Sequence, residues 1–275
     1  MFRESEDYEH FADFIRTKSR YVLDGWQQDF VNTIVETSKK RTTTLPANQI
    51  LWRAAPGYEN PDGVHPHEVF FLDDLEPHKI ERMKPLRDRA HEGRVNPRGI
   101  PCLYMATDDV TAMMEVRPWA GSVLTISQLV LLKEVTLVDC TQAAEFNLDE
   151  PMTQVRLESN NWHVLNEAFS LPVFQTEDVA DYAPTQYIAE AFRAAKYDGI
   201  MYESKVGNGK NVAIFDPANA EVVTFSVETA LSTAEVCATN PRQIIYVIGC
   251  GPARIDCKGA EGCRDRSGQK SSEQM

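Results

Sequence analysis

The chain begins with apolar residues that recur every three to four positions, a spacing typical of amphipathic helices. This spacing predicts two helices within residues 6–40. The same kind of pattern predicts later helices at residues 76–91, 108–116, 159–169 and 184–196. The predicted helices are therefore spread along the chain as far as residue 196.

Short apolar runs bounded by Gly, Pro, Asp and Asn predict strands between these helices. The predicted strands lie at residues 49–57, 102–106, 122–132, 134–140, 197–204, 211–217, 221–229 and 242–249. Residues 42–46, Thr-Thr-Thr-Leu-Pro, are interpreted as a linker. Strands and helices mix without a regular β-α-β alternation, which favours an α+β fold over a doubly wound parallel sheet.

Composition describes a soluble globular chain of 275 residues, with 43% hydrophobic and 25% charged residues. The net charge of −13 argues against direct nucleic-acid binding, which depends on neutralising phosphates with Lys and Arg. We find neither an apolar run of the roughly 20 residues that a membrane span needs nor an apolar signal region at the start. We therefore expect a cytoplasmic protein that does not bind membranes.

Metal and disulfide chemistry find little support in the sequence. The six cysteines lack CxxC spacing, which favours reduced thiols. His65, His67 and Glu68 with Asp73 and Asp74 look like metal ligands, but the adjacent proline favours a solvated acidic loop. Residues 207–211 lack the Gly-Lys-Ser/Thr ending of a phosphate-binding P-loop. No metal cofactor is expected.

Four segments taken together resemble the RES family, which is named for an Arg, a Glu and a Ser. They are "LWRA" with Arg53, "GRVNPRGIPCLYMA" with Arg94 and Tyr104, "AMMEVRPW" with Glu115, and "YDGIMYESKVGNGKNVAIF" with Ser204. No single segment is specific, but their order and spacing are. The resemblance extends from about residue 48 to about residue 217.

The resemblance implies an α+β fold with a mixed sheet core like that of ADP-ribosyltransferase catalytic domains. It also implies NAD as substrate, cleaved at the nicotinamide–ribose bond, with phosphate or water as acceptor, so that cellular NAD is depleted. Many members of the family are toxins paired with an antitoxin. The expected organisation is a helical N-terminal extension over residues 1–45, an NAD-binding catalytic domain over 46–250, and a polar, disordered tail over 251–275.

Roles for the candidate residues follow from the chemistry that the resemblance implies. Glu115 is the candidate catalytic carboxylate, because breaking an N-glycosidic bond builds positive charge on the ribose. Arg53 and Arg94 are the candidate pyrophosphate ligands, since one guanidinium group can donate two hydrogen bonds to phosphate oxygens. Arg53 and Ser204 are also counted with Glu115 among the candidate catalytic residues. Tyr104 is expected to stack on nicotinamide or ribose, or to hydrogen-bond through its hydroxyl. Ser204 is expected to hydrogen-bond the ribose or to hold Glu115.

Each of these residues also has an ordinary structural interpretation. Glu115 alone reads as a solvated helix residue, each arginine as a surface ion-pair partner, Tyr104 as a core aromatic and Ser204 as a turn former. Two further arginines, Arg98 and Arg117, are interpreted as solvated.

Two alternative functions remain open at this point. One is transfer of ADP-ribose to a protein or nucleic acid, although a second acid expected two residues before Glu115 is replaced by Met113. The other is a catalytically silent module that senses NAD or presents an interface. An antitoxin or regulatory protein and inorganic phosphate are the expected partners besides NAD, and a homodimer stays open.

Overall fold

A computed structural model describes residues 1–59, 75–86, 89–142, 153–171, 179–232 and 246–248. The helices in these ranges are α1 (Asp7–Thr17), α2 (Gly25–Ser38), α3 (Asp109–Glu115), α4 (Gln154–Ser170) and α5 (Ala183–Ala194). The strands are β1 (Thr42–Leu45), β2 (Ile50–Pro56), β3 (Leu103–Ala106), β4 (Val123–Leu131), β5 (Val135–Asp139), β6 (Gly199–Glu203), β7 (Lys210–Ile214), β8 (Ala220–Ser232) and β9 (Tyr246–Ile248). Short 3-10 turns occupy Ile80–Met83, Val179–Tyr182 and Pro217–Asn219.

The strands pair in the order β1-β5-β6-β7-β3-β2-β4-β8-β9. Two neighbouring pairs, β5–β6 and β8–β9, are parallel, and the other pairs are antiparallel. The predicted α+β class with a mixed sheet and N-terminal helices is therefore confirmed. At the middle of the order, β2 and β3 share one residue pair, Trp52 with Ala106. The two halves of the sheet thus meet at a narrow junction.

The interpretation of residues 42–46 as a linker is wrong, because Thr42–Leu45 form strand β1. This strand pairs antiparallel with β5, with Thr42 opposite Val138. Its side chains alternate between exposed and half-buried positions. Three successive β-branched threonines favour an extended backbone, and β5 supplies hydrogen-bond partners along one side of this edge strand.

The helix predicted at residues 76–91 is also wrong over the described residues 76–86, where one 3-10 turn, Ile80–Met83, forms. Pro77 and Pro85 bracket this turn. Lys84, which precedes Pro85, has the extended conformation that a following proline favours. The turn still has a packing role, since Met83 is fully buried.

Helices α1 and α2 share a hydrophobic core with α4 and α5. Phe11, Trp162 and Phe192 are fully buried within it, and the rings of Trp162 and Phe192 stack with centroids 6.1 Å apart. Asn161 on α4 also binds the N-terminal backbone. Its side chain accepts from the N–H of Tyr8 at 3.1 Å and donates to the carbonyl of Glu4 at 2.9 Å. The N-terminal helices therefore support the helical layer that borders the site described below.

Several predictions concern residues outside the described ranges. These include the acidic loop with His65 and His67, most of the 242–249 strand, and the C-terminal tail. Within the described ranges, Cys102 and Cys140 are buried free thiols. In that same part of the chain, no cluster of three or more His, Cys, Asp or Glu side chains is placed to hold a metal ion. None of its helices has both the length and the apolar character needed to cross a membrane.

Candidate active site

Helix α3 presents Glu115 at its last residue. The helix starts at an N-cap, Asp108, whose carboxylate accepts from the N–H of Thr111 at 2.8 Å. Ala112 and Met113 are buried in a small cluster with residues of β2, β3 and β4. Burial of this apolar face leaves Glu115 exposed at the C-terminal end of the helix.

The loop between β6 and β7 packs closely against the start of α3. The N–H of Gly209 donates to Thr111 Oγ1 at 2.9 Å. A Cβ at Gly207 would lie 2.8 Å from Thr111 Cα, and a Cβ at Gly209 would lie 1.8 Å from Asp108 Oδ2. Position 207 therefore requires glycine, because a Cβ there would meet the helix backbone, whereas a Cβ at Gly209 would have to displace the Asp108 side chain that caps the helix. Ser204 begins this loop, and the packing brings its side chain to Glu115.

Two side chains hold one oxygen of Glu115. Ser204 Oγ donates to Glu115 Oε1 at 2.7 Å, and Asn211 Nδ2 donates to the same oxygen at 2.6 Å. Asn211 is buried at the start of β7. None of the described residues donates a hydrogen bond to Glu115 Oε2. The carboxylate is thus oriented through one oxygen while the other stays free for a substrate.

Ser204 is fully engaged in this arrangement. Besides donating to Glu115, its Oγ accepts from the N–H groups of Val206 at 3.2 Å and Gly207 at 2.9 Å. A serine hydroxyl has one donor and two acceptor positions, and all three are used. Ser204 is therefore suited to positioning Glu115 through the hydrogen bond that it donates to the carboxylate.

A cleft of about 240 Å³ lies beside Glu115. Its walls come from the end of α3, the end of α4, the 3-10 turn before α5 and the β6–β7 loop. The lining residues are Arg94, Glu115, Arg117, Phe169, Ser170, Tyr182, Tyr202, Lys205 and Val206. Three of these are cations, although the whole chain carries a net charge of −13. The cleft is therefore a local positive site in an acidic protein.

Arg94 is held rigidly at the edge of the cleft. Its Nη1 donates to the carbonyl of Ala168 at 2.8 Å, and its guanidinium lies over the ring of Tyr182 at 5.8 Å. Burial lowers the pKa of Arg94, while the negative charges around it, including that of Glu115, act in the opposite direction. Such a preorganised cation can bind an anionic substrate group at little cost in side-chain entropy.

Arg53 and Tyr104 lie at the β2–β3 junction rather than among the cleft-lining residues. Arg53 Nη1 donates to the carbonyl of Tyr104 at 2.7 Å, and burial lowers the pKa of Arg53. Arg53 Nε is buried without a hydrogen-bond partner among the described residues. The Tyr104 hydroxyl donates to Asn96 Oδ1 at 2.6 Å and accepts from the N–H of Val95 at 3.0 Å. Tyr104 therefore fixes the turn that carries Arg94.

The structure thus brings together Glu115, Ser204 and Arg94, and it places Arg53 and Tyr104 behind them. The contact of Asn211 with Glu115 was not predicted from the sequence. One sequence feature could have pointed to Asn211, because it is a polar residue at the start of the apolar strand segment "NVAIF". Arg117, interpreted from the sequence as solvated, is exposed but also lines the cleft.

The comparison with protein-family models agrees with the family resemblance. The chain is similar to a solved structure described as the M. tuberculosis MbcT–MbcA toxin–antitoxin complex, with 13% sequence identity and a TM-score of 0.40 over 71% of this chain and 92% of that chain. A search of curated protein sequences gave no significant match. The RES domain model matches residues 72–234, which is more than half of the 275 residues. The chain therefore belongs to the RES domain family.

Proposed function

We propose that this protein cleaves the nicotinamide–ribose bond of NAD. The observation that carries the proposal is the state of Glu115 beside a cationic cleft. Ser204 and Asn211 hold its Oε1, and none of the described residues donates to its Oε2. A carboxylate preorganised in this way stabilises positive charge that develops on a substrate. Loss of nicotinamide from NAD develops such a charge on the ribose.

The atoms and electrons of the proposed NAD cleavage balance with NAD and an oxygen nucleophile as the reactants. The bond between the ribose anomeric carbon and the pyridinium nitrogen breaks, and its electron pair neutralises the nicotinamide. The oxocarbenium-like ribose that remains is stabilised by Glu115. An oxygen nucleophile then forms the new bond to the anomeric carbon. Water loses a proton in this step, to Glu115 or to the solvent, whereas a phosphate oxygen already carries the negative charge.

Phosphate is our proposed acceptor, with water as the competing one. Arg94, Arg117 and Lys205 line the same cleft as Glu115 and offer positive charge for a phosphate anion. An anion held next to the reacting carbon gains from proximity, an effect worth roughly 7 kcal/mol or more in favourable cases.

The test is to incubate the purified protein with NAD, in phosphate-free buffer and with added phosphate, and to identify the products by mass spectrometry. We expect nicotinamide release, a rate that rises with phosphate, and ADP-ribose carrying a phosphate on its terminal ribose. The matched control is Glu115→Gln, which keeps the shape of the side chain and removes the charge. Release of free ADP-ribose alone would make water the acceptor, and ADP-ribose attached to protein or nucleic acid would favour the transferase. Equal turnover by the control would contradict the proposal.

We further propose that this activity acts as a toxin or defence effector, restrained by an antitoxin or regulatory protein. Membership of the RES domain family supports this role. Expression of the wild-type chain should then lower cellular NAD and stop growth, while the Glu115→Gln chain is harmless. Equal toxicity of the two chains would show that growth inhibition does not depend on NAD cleavage, and would contradict the proposed role.

A further inference from the structure

The first residues of the chain form a short strap against helix α4. Residues 2–5, called the strap below, offer backbone carbonyls to amide side chains on the first half of that helix. Gln154 Nε2 donates to the carbonyl of Phe2 at 3.1 Å, Asn160 Nδ2 to that of Ser5 at 2.9 Å, and Asn161 Nδ2 to that of Glu4 at 2.9 Å. The RES domain model matches residues 72–234, so the strap lies outside the matched region.

Apolar burial and a further hydrogen bond anchor the strap. Phe2 is 4% exposed, and its ring meets Phe30 of α2 edge-on at a centroid distance of 6.0 Å. Asn161 is fully buried, and it also accepts from the N–H of Tyr8 on α1 at 3.1 Å. Release of a buried amide that is paired in this way is costly, because its donor and acceptor would lose their partners away from water. The strap is therefore fixed to α4.

The second half of the same helix holds parts of the candidate site. Asn166 is buried, and its Oδ1 accepts from the N–H of Glu203, the residue before Ser204, at 3.2 Å. The carbonyl of Ala168 accepts from Arg94 at 2.8 Å. The last residues of the helix line the cleft itself. Helix α4 thus contacts the strap with one half and the candidate site with the other.

A helix transmits a displacement along its length, because it moves largely as one rigid element. Asn160 and Ala168 are separated by roughly 12 Å along the axis, at about 1.5 Å per residue. A shift of the first half of α4 would therefore also move the groups that hold Arg94 and Glu203. Misplacement of a catalytic group by about 1 Å can lower a rate on the order of a hundredfold.

We propose that the strap is a positioning element for the candidate site, which acts through α4 on Arg94 and on the β6–β7 loop that begins at Ser204. Residues 2–5 are not among the cleft-lining residues, so the strap acts without contacting the cleft. Its effect on catalysis rests on the proposed NAD cleavage. Its effect on the order of the β6–β7 loop can be measured without any substrate.

The main variant combines Gln154→Ala with Asn160→Ala, which removes two donors to the strap and keeps the buried Asn161. Gln28→Ala is the matched control, because this amide also lies on a helix but donates to Asn32 on the same helix at 3.1 Å. Gln154→Ala combined with Asn160→Gln retains one amide donor and tests for rescue. The melting temperature shows whether each full-length variant is folded, and Asn160→Ala alone replaces the double variant if that one is not.

The first measurement is hydrogen–deuterium exchange without ligand, detected by mass spectrometry. We expect the double variant to exchange about tenfold faster than wild type over residues 203–207, the combined loss typical of two neutral hydrogen bonds. The N–H groups in this range donate to Asn166 and to Ser204. The second measurement is steady-state nicotinamide release, for which we expect kcat/KM to fall about tenfold and to recover in part in the rescue variant. Gln28→Ala should match wild type in both.

A purely structural role of the strap would raise exchange over residues 2–17 alone. Unchanged exchange over residues 203–207 in the folded variant would therefore overturn the proposal, as would equal effects in Gln28→Ala. Faster exchange there with unchanged nicotinamide release would overturn it as well. If wild type releases no nicotinamide while the variant loosens residues 203–207, NAD cleavage is rejected and the link between strap and loop stands, so the two failures can be told apart.

Discussion

Asn211 offers a sharp test of how Glu115 is positioned, because it contacts the carboxylate without lining the cleft. We predict that Asn211→Ala lowers kcat for NAD cleavage and leaves KM nearly unchanged. The substitution removes one of the two donors to Glu115 Oε1. Ser204 alone restrains the carboxylate less strictly, so the carboxylate can rotate away from its catalytic orientation. Because Asn211 is buried and does not line the cleft, ground-state binding of the substrate should be preserved.

The size of the effect follows from the contact. A hydrogen bond to a charged group contributes about 1.5 to 3 kcal/mol, which corresponds to about a 10- to 150-fold change in rate. The 2.6 Å separation and the burial of Asn211 support a substantial contribution. Ser204 still holds Oε1 at 2.7 Å, so we expect the lower end of this range, about tenfold.

The assay is steady-state nicotinamide release, with Asn208→Ala as the control, because Asn208 is exposed in the same loop. A second measurement combines Asn211→Ala with Glu115→Gln. If Asn211 acts through the carboxylate, its substitution should cost little further activity in that background. A raised KM with unchanged kcat, or full additivity with Glu115→Gln, would refute the positioning role.

Three further predictions concern the framework around the site. Gly207→Ala should lower the free energy of unfolding by about 1 to 3 kcal/mol in urea denaturation, because the new Cβ would meet the backbone of Thr111, whereas Gly25→Ala, with open space around it, should not. Arg53→Ala should lower the free energy of unfolding by about 1 to 3 kcal/mol in the same assay, because it removes a donor to the partly buried carbonyl of Tyr104. Unchanged ADP-ribose affinity in this variant would show that the pyrophosphate binds elsewhere. Burial raises the pKa of Cys102 to about 12, so peptide mapping after brief alkylation near neutral pH should find this thiol unmodified in the native protein and modified in urea; rapid native labelling would contradict its burial.

Much of the fold could be predicted from the sequence because its strongest patterns are local. Helices α1, α2, α4 and α5 bury one face each, and this gives them a periodic apolar stripe. The two failed predictions have equally local causes. A run of threonines lacks the apolar alternation of a typical strand, and two prolines restrict residues 76–86 to a single 3-10 turn.

The candidate site was less predictable, since its contacts join residues far apart in the chain. The bond between Ser204 and Glu115 spans 89 residues, and that between Asn211 and Glu115 spans 96. Sequence motifs identified Glu115 and Ser204 through their resemblance to a family. No periodic or spacing rule shows that Asn211 faces the same carboxylate, or that Arg53 donates to a carbonyl at the sheet junction.

The β6–β7 loop explains how these distant residues come to act on one group. Its glycines pack against Asp108 and Thr111 at the start of α3, while its two ends supply the donors that meet Glu115 at the end of the same helix. A helix held at both ends by one loop cannot shift along its axis without breaking contacts at each end. The carboxylate is therefore placed by the packing of glycine against helix backbone as much as by its own hydrogen bonds. For this reason, residues that never touch a substrate are expected to control the rate.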